Sequence, residues 1–244
     1  MNHYYMIYNG NSLRETVRRM IVEYKVEKLL KDKKALVEEM AKNIAKIIVD
    51  ENLDDSEHKV VGRMYEEIIP EVKKAFGLDR LEERLEEYIH KEVENKWYVK
   101  LENIKEGIEK NVLLTEDIKS NFLSRLERII KVREKIIDEL TKIAEKEGID
   151  KLKENLDKLL PYAFRKVLPT PEDRRNYYKD LEKLGELYFE MLLESYTLLE
   201  LGSHSESLKY YLESLGYKGK VYRRILDYYK TVCIDLFKKA YSPI

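Results

Sequence analysis

The stretch DRLEERLEEYIHKEVENKWYVKLENIKEGIEKNVLLTEDIKSNFLSRLERIIKVREKIIDELTKIAEKE, Asp79 to Glu147, decides the fold. Leu81, Leu85, Tyr88, Ile89, Val93, Trp97, Leu101, Ile104 and Ile108 recur at three and four residues and form one apolar face. Phe122, Leu126, Ile129, Ile130, Ile136, Ile137, Leu140 and Ile143 form a second. Both follow the 3.6-residue turn of an α-helix, so each run presents one apolar stripe over about thirty residues. Asp79 opens the first run, Thr115 caps the second and Gly148 follows its end. Two helices of about 45 Å, at 1.5 Å per residue, joined by a short loop predict a central antiparallel hairpin over roughly 79–147.

Outward from the hairpin, the apolar spacing stays at three and four and almost never falls to two. The chain therefore reads as all-α, a long antiparallel helical bundle of about seven helices from residue 12 to its end. Ser12 with Glu15 has capping-box spacing and starts a helix at Leu13, with KDKK at 31–34 as its one break and an end near Asn52. Asp54 or Asp55 opens a helix that Pro70 is expected to kink and Gly77 to stop. Tyr4 to Tyr8 is the one strand candidate.

Beyond the hairpin, a short helix from about Lys151 to Leu160 is expected to end at Pro161. Thr170, Pro171, Glu172 and Asp173 combine a capping hydroxyl, a proline at the first helical position and two acids against the helix dipole, which starts a helix running to Gly202. Ser203 with Glu206 opens another, ending at Gly216, and the last helix runs from about Val221 to Ala240. Pro161, Pro169 and Pro171 concentrate the breakers. They divide the chain into an N-terminal bundle, 1–160, and a smaller C-terminal helical region, 161–244, unless 1–244 is one continuous domain.

Composition narrows the class. Of 244 residues 38% are charged, yet 46 basic and 47 acidic side chains leave a net charge of -1, which excludes a polyelectrolyte tail. Nine Gly and five Pro exclude collagen and Gly-rich linkers, and a mean hydropathy of -0.57 excludes a membrane protein. The chain has no Gln and is rich in Lys, Glu, Ile and Tyr, the usage expected of a hyperthermophilic, archaeal source. One cysteine, Cys233, permits neither an intramolecular disulfide nor a cysteine zinc cluster, and it lies on the apolar side of the last helix. The first residues lack the pattern of a secretory signal, so a cytoplasmic location is expected.

The near-zero net charge conceals an asymmetry. Residues 12–35 carry eight basic side chains against four acids, residues 209–244 eight against three, and residues 36–208 carry -10. Such ends either dock on the acidic middle or converge into one basic surface. In GYKGKVYRRILDYYK, residues 216–230, cations alternate with tyrosines: Lys218, Lys220, Tyr222, Arg223, Arg224, Tyr228 and Lys230 are the candidate contact residues. Cations neutralise phosphates and tyrosine faces stack on unpaired bases, so single-stranded nucleic acid is favoured over duplex if the partner is nucleic acid. The alternative is an amphipathic helix with tyrosines at the edge of a core.

Three spacings invite more specific readings. Glu87 and His90 share a helix face as in half of a carboxylate-bridged di-iron site, but no second E-x-x-H completes it, so no metal or other cofactor is expected. Arg84 and His90, spaced R-x5-H, resemble the catalytic motif of the HEPN ribonucleases. That resemblance implies phosphate stabilisation by Arg84 and acid or base work by His90 across a dimer interface, although Leu85 replaces the usual polar residue. LGSHSESLKYYLESL, residues 201–215, resembles the turn and second helix of a tetratricopeptide repeat, with Gly202 at the turn and Tyr211 at the aromatic position. No second unit follows at the 34-residue period, so it reads as a helical hairpin. The leading expectation is a non-enzymatic, homo-oligomeric interaction protein that binds a partner protein or nucleic acid, and no membrane, through its basic, Tyr-rich C-terminal surface. An RNA-cleaving enzyme using Arg84 and His90, and a purely structural assembly factor, are the alternatives.

Overall fold

The computed structural model describes residues 12–52, 68–74, 76–98, 101–112, 114–192 and 219–242. Helix is the only regular structure among them: α1 (Leu13–Lys31), α2 (Lys33–Asn52), α3 (Leu78–Tyr98), α4 (Leu101–Glu109), α5 (Glu116–Glu147), α6 (Ile149–Glu154), α7 (Leu156–Val167), α8 (Pro171–Leu192) and α9 (Gly219–Tyr241), with residues 68–74 helical as well. The fold class is all-α. No helix among the described residues is long and apolar enough to cross a membrane.

Local chemistry sets the helix ends. The Glu15 amide donates to Ser12 Oγ at 3.3 Å, while the Glu15 carboxylate accepts from Arg18 at 2.9 Å. Asp32 alone separates α1 from α2, and its carbonyl is the acceptor for Leu36 N–H at 2.8 Å. Gly77 takes φ 60 just before α3, a left-handed conformation that glycine adopts at no steric cost. Thr115 stands extended before α5 and its hydroxyl accepts from the Ile118 amide. At the other end Gly148 takes φ 93 and donates to the Ala144 carbonyl at 2.9 Å. Thr170 Oγ1 accepts from the Asp173 amide at 3.0 Å and donates to the Asp173 carboxylate at 2.6 Å.

Two expectations are corrected. The apolar run of 81–108 forms two helices, α3 and α4. The carbonyl of Lys96, in the last turn of α3, accepts from Arg133 Nη1 at 2.9 Å. The hairpin partner of α5 is thus the short α4. Second, Pro161 does not end a helix: it lies inside α7, which runs on to Val167. The proline forfeits one ladder bond, a cost of about 3 kcal/mol, but burial of Leu156, Leu160, Ala163 and Phe164 outweighs it, since Leu160 and Phe164 each contribute about 1.5–3 kcal/mol. Tyr4–Tyr8, Asp54 and Asp55, and the segment from Gly202 to Gly216 lie outside the described residues.

The contacts divide the chain into two compact units. The first comprises Met1–Glu27, Val93–Leu184 and Lys239–Ile244; the second comprises Lys28–Glu92 and Gly185–Lys238. In the first, α5 packs on α4, α6 and α7. Phe122, Leu126, Ile129, Ile136, Ile137 and Leu140 of α5 are buried, as are Leu152, Leu160 and Phe164. Phe164 meets Tyr177 edge-on at 5.2 Å between ring centres. The last turn of α9 completes this unit, and its carbonyls, which a helix end leaves without internal partners, are met by side chains. Lys25 Nζ donates to the Lys239 carbonyl at 2.9 Å, Trp97 Nε1 to that of Ala240 at 2.9 Å, and Tyr177 OH to that of Tyr241 at 3.3 Å. In the second unit Met40, Ala41, Ile44, Phe76, Leu81, Leu85, Ile89, Ile225 and Tyr229 are buried. A Cβ added at Gly185 of α8 would stand 3.4 Å from side-chain atoms of both Ile234 and Phe237.

Candidate interaction surfaces

Helix α9 carries the described part of the basic, Tyr-rich segment. Lys218 lies outside the described residues, and Lys220 and Tyr222 fall in the first two turns of the helix. Arg223 and Arg224 are exposed, and Lys230 is half-buried. At 100° per residue, Arg223, Arg224, Lys230 and Lys238 share the outward face with Asp227 and Asp235, so the face alternates in sign. Lys238 pairs with Asp235 at 3.8 Å, and Arg224 approaches Asp50 of α2 at 4.0 Å.

The tyrosines turn the other way. Tyr229 is 1% exposed, and burial drives its phenol pKa well above the ordinary range. Tyr228 is half-buried, and its hydroxyl accepts from Asn43 Nδ2 at 3.0 Å. Burial raises its pKa too, with the Asn43 hydrogen bond pulling partly back. Tyr229 offers no face to solvent, and Tyr228 is only partly exposed.

Charges from the basic N-terminal segment meet the acidic middle. Arg14 reaches Glu134 and, at 2.8 Å, Asp138; Arg18 reaches Glu134 at 3.1 Å; Arg133 adds a third guanidinium to Glu134 at 2.5 Å. Burial alone would raise the Glu134 carboxyl, but the Arg14 hydrogen bond and the charges of Arg133 and Arg18 hold it below its ordinary value. In the second unit Lys33 pairs with Glu86 at 3.0 Å. Intramolecular docking of basic on acidic residues is thus realised for these side chains.

Arg84, Glu87 and His90 are exposed on α3. Glu87 and His90 share a face, but no group of three or more His, Cys, Asp or Glu side chains able to hold a metal occurs among the described residues. Arg84 and His90 are six residues apart, about 9 Å along the axis and about 120° around it. Cys233 is buried in the last helix.

One arrangement has no counterpart in the sequence reading. Arg125 and Arg128, one turn apart on α5, converge on Asp180 of α8. Arg125 Nη1 donates to Oδ1 at 2.6 Å, while Arg128 donates through Nε to Oδ2 at 2.6 Å and through Nη2 to Oδ1 at 2.8 Å. Asp180 is 8% exposed; burial pushes its carboxyl up, and hydrogen bonding and charge from Arg128, with Arg125, bring it below its ordinary value. These groups line a cleft of about 490 Å³ together with Val132, Leu168, Tyr177 and Lys179. The R-x-x-R spacing of Arg125 and Arg128 was the available signal, but it identifies no acceptor 52 residues away. A second cleft, of about 480 Å³, is lined by Glu109, Glu116 and Glu127, whose neighbours Lys119 and Lys105 already pair with Glu116 and Glu127. Comparison with models of known protein families, with curated proteins and with solved structures finds no match for this chain.

Proposed function

We propose that this chain is a non-enzymatic helical interaction protein and that the outward face of α9 around Arg223, Arg224 and Lys230 contacts a partner protein. The observation that carries the reading is the division of α9 into a mixed-charge outer face and a tyrosine face turned inward. A polyanion calls for a run of one sign with aromatic platforms beside it, whereas alternating cations and acids suit the polar rim of a protein interface. The RNA-cleaving reading rests on the spacing of Arg84 and His90 alone.

Two measurements test the proposal. Titration of labelled single-stranded RNA at about 50 and about 200 mM salt is expected to give no saturable, salt-dependent binding, whereas a steep loss of affinity between the two would establish phosphate contacts and overturn it. A photo-crosslinking residue at exposed Thr231 is expected to capture a protein in the source cell, with the yield abolished by Arg223→Glu with Arg224→Glu. An unchanged yield in the charge-reversed variant removes α9 as the contact.

A further inference from the structure

We propose that the cleft between α5 and α8 binds the oxyanion head, a phosphate or a carboxylate, of a small organic molecule, with Arg125, Arg128 and Lys179 as the recognising cations. The cleft volume of about 490 Å³ lies within the 300–1,000 Å³ range of small-molecule sites. Its charge is in surplus. Arg125, Arg128 and Lys179 stand against two carboxylates, Asp180 and Asp173, which leaves one positive charge over in the lining. Lys179, on α8, adds a third cation to the lining.

Donors remain after the internal bonds are made. A guanidinium carries five N–H groups in a planar fork. Arg128 uses Nε and Nη2 on Asp180 and donates a long Nη1 hydrogen bond of 3.4 Å to Ser124 Oγ. Arg125 uses Nη1 on Asp180 and Nε on Asn121 at 2.7 Å, which leaves Nη2. The nearly buried Asp180 fixes both forks before any ligand arrives, so little side-chain entropy remains to be lost on binding. Val132 and Leu168 supply an apolar wall for the body of the ligand. This inference is independent of the α9 surface.

The test is calorimetric titration of the full chain with phenyl phosphate, benzoate and inorganic phosphate, in the wild type and in Arg125→Gln, Lys179→Gln and the control Arg223→Gln. Phenyl phosphate or benzoate is expected to saturate, and the tighter of the two identifies the head group. Arg125→Gln should weaken binding by about tenfold or more, the usual effect of losing a charge-assisted hydrogen bond. Lys179→Gln should weaken it severalfold and Arg223→Gln should leave it unchanged. No saturation by any probe below about 10 mM overturns the proposal, as does equal affinity in Arg125→Gln and the wild type. Inorganic phosphate binding as tightly as phenyl phosphate overturns the organic body. Should Arg125→Gln fail to fold, Lys179→Gln decides: unchanged affinity there also overturns it.

Discussion

Trp97 is 1% exposed and its indole N–H donates to the Ala240 carbonyl at 2.9 Å, so one side chain fills core and closes a helix end. Its apolar role follows from the three-and-four spacing of 81–108. Its donor role does not, because the acceptor lies 143 residues away. Lys25 and Arg133 belong to the same class: charged residues, 2% and 5% exposed, whose head groups serve the carbonyls of Lys239 and Lys96. Composition reads such residues as solvated. The tyrosines of α9 show the reverse: composition alone makes Tyr228 and Tyr229 candidates for stacking on a ligand, whereas their environment turns them toward their own unit. At this scale the expected effect of Trp97→Phe is a loss of about 2–4 kcal/mol, combining an orphaned buried carbonyl with a smaller ring. Urea unfolding with an unchanged slope and a lowered midpoint checks it; an unshifted midpoint would mean that the Ala240 carbonyl finds another donor.

Helix ends were the most legible features, since caps act within four residues of chain and need no tertiary context. Ser12, Thr115, Gly148 and Thr170 all sit where their spacing put them. Pro161 reads as a stop because its cost of about 3 kcal/mol is local, whereas the apolar face that offsets it is tertiary. The division between α3 and α4 has no punctuation in the sequence, since no glycine or proline stands between Tyr98 and Leu101. Two glycines make a clean contrast at this scale. Gly148 holds φ 93, so Gly148→Ala is expected to destabilise by about 1–2 kcal/mol even though a Cβ there meets nothing within 4 Å. Gly107 lies inside α4, where a Cβ likewise has open space, so Gly107→Ala is expected to stabilise by about 1 kcal/mol through helix propensity. Thermal or urea midpoints moving in the same direction for both would refute the backbone argument.

For the whole molecule, the balance of 46 basic against 47 acidic residues becomes specific side-chain pairing inside each unit. Arg14 and Arg18 meet Glu134 in one, and Lys33 meets Glu86 in the other. Which base meets which acid was not legible, because each unit is assembled from segments far apart in sequence and linear punctuation records only neighbours. The same pairing sets the pH dependence of stability. Glu134 and Asp180 are held below their ordinary carboxyl values by arginines, against the opposing effect of burial. A depressed carboxyl contributes stability that is present above its unfolded pKa, about 4, and lost as pH falls through the lower folded value. Tyr177 and Tyr229 are shifted the other way by burial, so their contribution is present below about 10 and lost as pH rises beyond it. Urea midpoints measured from about pH 2 to about pH 11 should therefore form a plateau with an acid limb below about pH 4 and an alkaline limb above about pH 10. Glu134→Gln should lower the plateau, because Arg14, Arg18 and Arg133 then surround a neutral amide, and should also flatten the acid limb. A wild-type midpoint that stays level down to about pH 2 would show that the arginine-bound carboxylates add no stability.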